Sequence, residues 1–297
     1  LLVLLLTATF AAPLSAQDIT PTDVYRETII LKEGLAQIGL LDIAKYNAEE
    51  DDTALRHPRH VMEKVRECHM MIGKIMQSRG IEVDDLPPKA EFNEVRPADV
   101  FKAVKFLQKD AQKLGQASVP APVVEDQKVP TDVYNHLKRI CHALQAEVKP
   151  ADVYRVAQVV LNNVMKIAEI RGINIRSKFA QYEEKVPADL YHEAWAFLDD
   201  LRFLALNPDY AIPGGVILPN QRETKDIIPQ DVIALMHDAL AETEAIKYTL
   251  HINDTPVFPL YQEGKTPSDV YSLISHAHSI VRELLEMERR EDEAVLK

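Results

Sequence analysis

Glycine is scarce in this sequence of 297 residues, which contains 9 glycines against 18 prolines. Strands joined by tight turns use glycine for backbone conformations with positive φ, whereas proline suits the first turn of a helix. The composition therefore favours helices that begin at prolines. With 46% hydrophobic and 27% charged residues, the chain is typical of a globular protein.

Basic clusters and the common motifs of catalysis are also missing. The formal net charge is −12 and no run of Lys and Arg occurs, so a nucleic-acid partner is not expected. We find no Gly-rich phosphate loop, no Ser- or Cys-centred nucleophile elbow, and no His-Glu-x-x-His or Cys-x-x-Cys-His motif. These absences favour a non-catalytic protein.

Long hydrophobic runs are limited to the first residues, LLVLLLTATFAAPLSAQ. A short apolar run followed by small residues is typical of a secretory signal peptide, and we expect residues 1–16 to be cleaved after Ala16. Because no initiator Met or basic segment precedes the run, we expect the sequence to be truncated at its start. A buried helix or a retained anchor is the alternative. We expect an exported mature chain, periplasmic or extracellular, without a membrane span.

The main feature that is present is a repeat of the form Pro-x-Asp-Val-Tyr. It begins at seven prolines, and the degenerate copy HPRHVM adds an eighth: Pro21, Pro58, Pro97, Pro130, Pro150, Pro187, Pro229 and Pro267. Successive prolines are 37, 39, 33, 20, 37, 42 and 38 residues apart. Such a repeat indicates a repeated structural unit.

Apolar residues recur after the motif prolines at offsets 3, 7, 10, 14 and 17, as at Val153, Ala157, Val160, Val164 and Ile167 after Pro150. Alternating steps of four and three mark one face of an α-helix, in the heptad-like pattern of helices that pack at shallow angles. Eight helices therefore share one register, and no segment shows a competing strand-like alternation. The sequence predicts an all-α protein.

The motif itself has a local explanation as a helix start. Proline is favoured at the first helical position, and an Asp two residues later can accept backbone N–H groups of the first turn. Thr20 and Thr266 are suitable N-caps for two of the helices. The Val and Tyr that follow begin the buried face. A repeated Tyr/Asp ligand site is the alternative interpretation.

The single short spacing, between Pro130 and Pro150, predicts the domain organisation. We expect two tandem four-helix bundles, residues 17–149 and residues 150–297, the second ending in a charged C-terminal tail. The alternative is a continuous helical-repeat array, since KIMQSRGI and KIAEIRGI lie at equal distances after Pro58 and Pro150.

Long connections separate the helices, at residues 81–96, 116–129, 173–186, 207–228 and 251–266. We expect them to run along the bundles and cover their ends. Loops of this length are also frequent sites of function, so an enzyme site lined by residues 207–228 is an alternative.

The two cysteines, Cys68 and Cys141, lie on the second and fourth motif helices at nearly equal depth. A disulfide is plausible in an exported protein. In an up-and-down bundle, however, these two helices are diagonal, and their core positions lie beyond the roughly 4.4–6.8 Å between Cα atoms that a disulfide requires. We therefore expect two buried unpaired thiols, and a disulfide would need a different helix order.

A metal or haem site is the alternative role for the cysteines and the histidines that follow them. Cys68, His69, Cys141 and His142 offer thiolate and imidazole ligands suited to copper or zinc, and helical bundles also hold haem. Adjacent helical residues point about 100° apart, which opposes convergence on one ion. We expect no cofactor, and we interpret His278 as a core histidine.

The function predicted from the sequence is that of an exported, non-catalytic helical-bundle protein of the sensor or scaffold type. Its partner would be a protein or a small-molecule ligand. A metal- or haem-carrying bundle and an enzyme with a site in the long loops are the alternatives. Inference from fold alone is associational, so the site itself must support any of these functions.

Overall fold

The computed structural model describes residues 19–86, 94–222, 225 and 227–295. Their helices are α1 (Pro21–Gln37), α2 (Ile43–Ala48), α3 (Pro58–Ser78), α4 (Pro97–Leu114), α5 (Pro130–Ala143), α6 (Pro150–Ile170), α7 (Pro187–Leu204), α8 (Pro229–Thr249) and α9 (Pro267–Val295). No strand occurs within these residues, so the all-α class is confirmed.

Three further regions bear on the predicted elements: the two ends of the chain and the short helix α2. The predicted signal peptide, residues 1–16, lies outside the described residues. The predicted C-terminal tail is helical as far as Val295, because α9 continues through it. Helix α2 was not predicted; its N-cap is Asp42, whose side chain accepts the backbone N–H of Ala44 at 3.0 Å.

Every motif proline begins a helix, as predicted from the repeat. In seven of these helices the motif Asp accepts the backbone N–H of the residue before the proline, at 2.7–3.0 Å. Thr20 and Thr266 also accept the N–H of that Asp, so both act as N-caps. Helix α3 differs, because His60 stands where the others have Asp.

The helices pack in two groups with the same internal order. In the first bundle, α1 and α3 each contact both α4 and α5. In the second bundle, α6 and α7 each contact both α8 and α9. The first and second helices of each group are therefore diagonal, and so are the third and fourth. This equal order is what duplication of a four-helix unit would produce, although the domain boundary at residue 150 stays a prediction.

All four helices of a bundle run in the same direction. In the first bundle the motif prolines and the valines three residues later line one small apolar depression, so the four helices begin at one end: Pro21, Val24, Pro58, Val61, Pro97, Val100, Pro130 and Val133. In the second bundle, His278 of α9 contacts Glu193 and Asp200 at similar depth on α7. Parallel helices require each connection to return the full length of the bundle.

These connections, which we call return segments, lie along helices. Each one packs along the length of one helix: residues 38–57 along α5, 116–129 along α1, 171–186 along α9, 205–222 along α8 and 251–266 along α6. They run antiparallel to the helix they cover. In residues 171–186, for example, Ser177 N–H donates to Glu283 and Tyr182 N–H to Ser272. The loops predicted at residues 116–129, 173–186 and 251–266, and residues 207–222 of a fourth, are thus part of the packed structure. Residues 87–93 of the predicted loop 81–96 and residues 223, 224 and 226 of the loop 207–228 lie outside the described residues.

Return segments are fixed by a basic side chain stacked on a motif tyrosine. The basic residue lies two positions before a motif proline, and the tyrosine belongs to another helix of the same bundle. Four such pairs occur, with the cation 4.2–5.3 Å from the ring centroid: Arg56–Tyr134, Lys128–Tyr25, Lys185–Tyr271 and Lys265–Tyr154. We call this pair the cation–tyrosine clasp. The fifth motif tyrosine, Tyr191, instead accepts the N–H of Arg222 at 3.1 Å.

The residue after the motif proline takes part in three of the four clasps. Its hydroxyl accepts the backbone N–H of the basic residue at 2.9–3.0 Å, as Thr131 does for Arg56, Thr22 for Lys128 and Ser268 for Lys185. Each position of the motif therefore has a structural role, from starting a helix to receiving a return segment. This accounts for the repeated Tyr and Asp without a ligand.

The prediction of two unpaired thiols is wrong, because Cys68 and Cys141 form a disulfide with 5.3 Å between their Cα atoms. Their helices, α3 and α5, are neighbours in the observed order, not diagonal as in an up-and-down bundle. Because the two helices are parallel, residues at equal distances from their N-termini, such as these cysteines, lie side by side. The same layer of the second bundle holds Phe197 and His278, whose ring centroids are 6.3 Å apart.

Removing one clasp should lower stability measurably. We expect Lys185→Met to reduce the free energy of unfolding by about 1 kcal/mol, because the ammonium group stacked on Tyr271 is lost. Lys178→Met is the matched control, since Lys178 is exposed in the same return segment and makes no ion pair or cation–π contact with described residues. Chemical denaturation measures both. Equal stability of the two variants would contradict the clasp.

Removing the disulfide should have a larger effect. It connects residues 73 apart, and the chain-entropy model then gives about 4 kcal/mol of stabilisation. We expect Cys68→Ser/Cys141→Ser to lose an amount of this order in denaturant unfolding. Reductant should lower the free energy of unfolding of the natural chain and leave that of the double variant unchanged. If the natural chain is equally stable with the disulfide intact and fully reduced, the estimate is wrong.

Candidate functional site

The contact between the two bundles buries several charged side chains. It is formed by α3 and α8, which run antiparallel, so that early residues of α3 face late residues of α8. Arg59 Nε donates to Glu242 Oε2 at 2.9 Å, and further along Glu63 lies 3.2 Å from His237 Nδ1. Burying a charged side chain raises the free energy of the folded state unless an opposite charge pairs with it, so each charge in this interface needs a specific counter-charge.

His60, in the degenerate motif copy, joins the start of α3 to the second bundle. Its Nδ1 accepts the N–H of His57 at 3.0 Å, the bond that the motif Asp makes in the other helices. Nε2 must then carry the proton, and it donates to Glu242 Oε1 at 2.8 Å. Glu242 of the second bundle thus supplies the negative charge that α3 lacks at its own N-terminus.

Glu242 is fully buried and receives a third hydrogen bond, from Ile217 N–H at 2.7 Å. Burial raises the pKa of this carboxyl, but the hydrogen bond from His60, the charge of Arg59 and the hydrogen bond from Ile217 together lower it by more. The net result is a pKa below the ordinary value, so Glu242 remains a carboxylate at neutral pH.

The return segment at residues 205–222 is locked against this interface. Arg59 donates to the carbonyl oxygens of Pro213 at 2.9 Å and of Gly215 at 2.7 Å. Gly214 has φ of +77°, and a Cβ there would lie 2.1 Å from His57 Nε2, so a side chain is excluded. This packing counts against the polar pocket that an enzyme site in residues 207–228 would need.

Arg56 forms a second charged cluster beside the first. Its side chain is fully buried, stacks on Tyr134 and forms ion pairs with Asp52 and with Asp238 of α8. Burial lowers the pKa of Arg56, but Asp238, Tyr134 and Asp52 raise it well above the ordinary value. Tyr134 donates its hydroxyl to Asp238 Oδ1 at 3.1 Å. Both members of this clasp, Arg56 and Tyr134, therefore also contact Asp238 of the second bundle.

The predicted metal ligands are not gathered in one place. The sulfurs of Cys68 and Cys141 are bonded to each other, so neither is a thiolate. His69 Nε2 lies 3.0 Å from the carbonyl oxygen of Asp84, and His142 Nδ1 lies 3.2 Å from Glu49 Oε2. Within the described ranges no group of three potential ligands could hold a metal ion. A metal or haem site stays the untested alternative of the sequence analysis.

His278 is a buried core histidine, in agreement with the sequence analysis. Both ring nitrogens face carboxylates at 2.8 Å, those of Glu193 and Asp200. Because the ring is enclosed between α7 and α9, it contributes packing and polar contacts to the second bundle.

The sequence analysis missed Arg56, His60 and Glu242 as site residues. A signal was present, because HPRHVM is the one motif copy without Asp, and a helix start that lacks its acid needs a substitute. The sequence offers no means of locating that substitute, since Glu242 lies 182 residues from His60.

No protein-family model, no curated protein and no solved structure matches the chain. In the part of the chain that is described, no helix combines the length and the apolar character needed to cross a membrane. The geometry of the chain alone therefore supports the functional argument.

A double-mutant cycle should reveal the link between His60 and Glu242. We expect His60→Asp to destabilise the protein, because the restored motif acid would face a buried carboxylate. Glu242→Gln should partly rescue His60→Asp, giving a coupling energy of about 1 kcal/mol or more in denaturant unfolding. Strict additivity of the two substitutions would show that the pair does not interact.

Proposed function

We propose that the protein is an exported, non-catalytic helical protein that binds a partner protein as a scaffold or sensor does. Two observations support export. The first residues have the pattern of a signal peptide, and the buried disulfide is of the kind that forms in oxidising compartments.

The filled interior favours a protein partner over a small-molecule ligand. One depression at the helix starts of the first bundle has a volume of about 10 Å³, and a cavity between α1, α4 and residues 115–119 has about 90 Å³. Sites for small molecules are generally several hundred Å³. The interface between the bundles is likewise closed by paired charges, so it offers no entry in this conformation.

The observation that carries the proposal is the exposure of large apolar side chains on fixed return segments. Val257 and Leu260 point outward from residues 251–266, and Val123 does so from residues 116–129. Exposed apolar side chains on a surface already held in place can be buried by a partner with little ordering cost.

Native mass spectrometry of the protein isolated from its own compartment tests the proposal. We expect a stoichiometric complex with a second protein, and the free chain purified alone serves as the mass reference. Elemental analysis and an absorption spectrum of the same sample identify a bound metal or haem. A chain that carries only a small molecule, a metal or haem would instead support the ligand-binding or metal-carrying alternative.

A further inference from the structure

Two return segments repeat one another in sequence. Residues 122–130 read PVVEDQKVP, and residues 259–267 read PLYQEGKTP. Both precede the fourth helix of their bundle and lie along the first helix. Aligned on the motif proline, Val123 and Leu260 occupy the same position. They are 87% and 88% exposed, more than any other large apolar side chain of the described residues.

Both segments are held by equivalent clasps five residues after the exposed residue. Lys128 and Lys265 form the clasps with Tyr25 and Tyr154, at 5.3 and 4.3 Å. The proline before each apolar residue restricts the backbone, and Arg155 Nε donates to Pro259 O at 2.9 Å. The exposed side chains are therefore presented from a fixed backbone.

An acidic residue accompanies each apolar side chain. Asp126 and Glu263 align at one position, three residues after Val123 and Leu260, and both are exposed. Among the described residues neither forms an ion pair. By contrast, the exposed Glu125 aligns with Gln262, so its charge is not repeated. The shared chemistry of the two segments is one apolar group and one carboxylate at a fixed spacing.

We propose that Val123 with Asp126, and Leu260 with Glu263, are two equivalent docking positions for one protein partner, which offers an apolar pocket beside a basic residue. This inference rests on the proposed function and adds the chemistry of the partner. Charge complementarity supports a basic partner, because the unpaired carboxylates belong to a chain of net charge −12. Two equal positions on one chain allow bivalent binding, which strengthens attachment beyond either position alone.

Site-specific photo-crosslinking in the native compartment tests the two positions. A photoreactive amino acid replaces Val123 or Leu260 in the full chain, and Gln112 on α4 or His192 on α7 in control chains, where both residues are exposed. We expect positions 123 and 260 to give adducts of the same added mass and the control positions to give none. Equal adducts at the control positions, or none at 123 and 260, would refute the inference.

Charge reversal tests the carboxylates with a matched control. We expect Asp126→Lys to lower the adduct yield at position 123 about tenfold, and Glu263→Lys to do the same at position 260. Glu125→Lys, next to Asp126 but without an acidic counterpart, should leave the yield unchanged. An equal loss in the Glu125→Lys chain would show a general effect of charge and contradict the specific role of Asp126.

The outcomes separate this inference from the proposed function. A partner complex seen by native mass spectrometry, with adducts only at positions 112 or 192, keeps the proposed function and overturns these docking positions. Absence of any complex overturns both. An adduct of twice the chain mass at positions 123 and 260 would identify a second copy as the occupant and overturn the basic partner.

Discussion

The stacking of a basic side chain on a motif tyrosine makes a bundle of parallel helices possible. Parallel helices place four positive helix ends together and force every connection to return along the bundle. The motif Asp offsets the first problem in seven of the eight helices. The clasp solves the second, because it ties the end of a return segment to the start of another helix of the same bundle, as Lys128 is tied to Tyr25.

What the sequence predicts well is local. Proline at the first helical position, the Asp that follows and the apolar face all act within a few turns, so helix starts and the all-α class could be derived. Helix order and direction could not, because the periodicity of one helix contains no information on its neighbours. That gap explains the error at Cys68 and Cys141, where an assumed up-and-down order separated helices that are adjacent in the structure.

The candidate site also depends on contacts between helices that the sequence does not reveal. The departure of HPRHVM from the repeat could be read from the sequence, but not that Glu242 compensates for it. The two bundles have the same helix order, and their contact involves the start of α3, the one helix whose motif lacks Asp. A buried ionic contact of this kind specifies how two similar units fit, since each charge tolerates only its own partner. The proposed function instead rests on the return segments, where large apolar side chains such as Val123 and Leu260 are exposed.

The return segments also determine when the protein can fold. The backbone contact that fixes residues 116–129 on α1, between Lys128 and Thr22, joins residues 106 apart, and the contact of Thr28 with His136 spans 108. A chain with such distant contacts folds slowly, because most of a bundle must exist before its first helix is secured. A nascent chain of this design secures its first helix only after the fourth helix of the first bundle, Pro130–Ala143, has been synthesised.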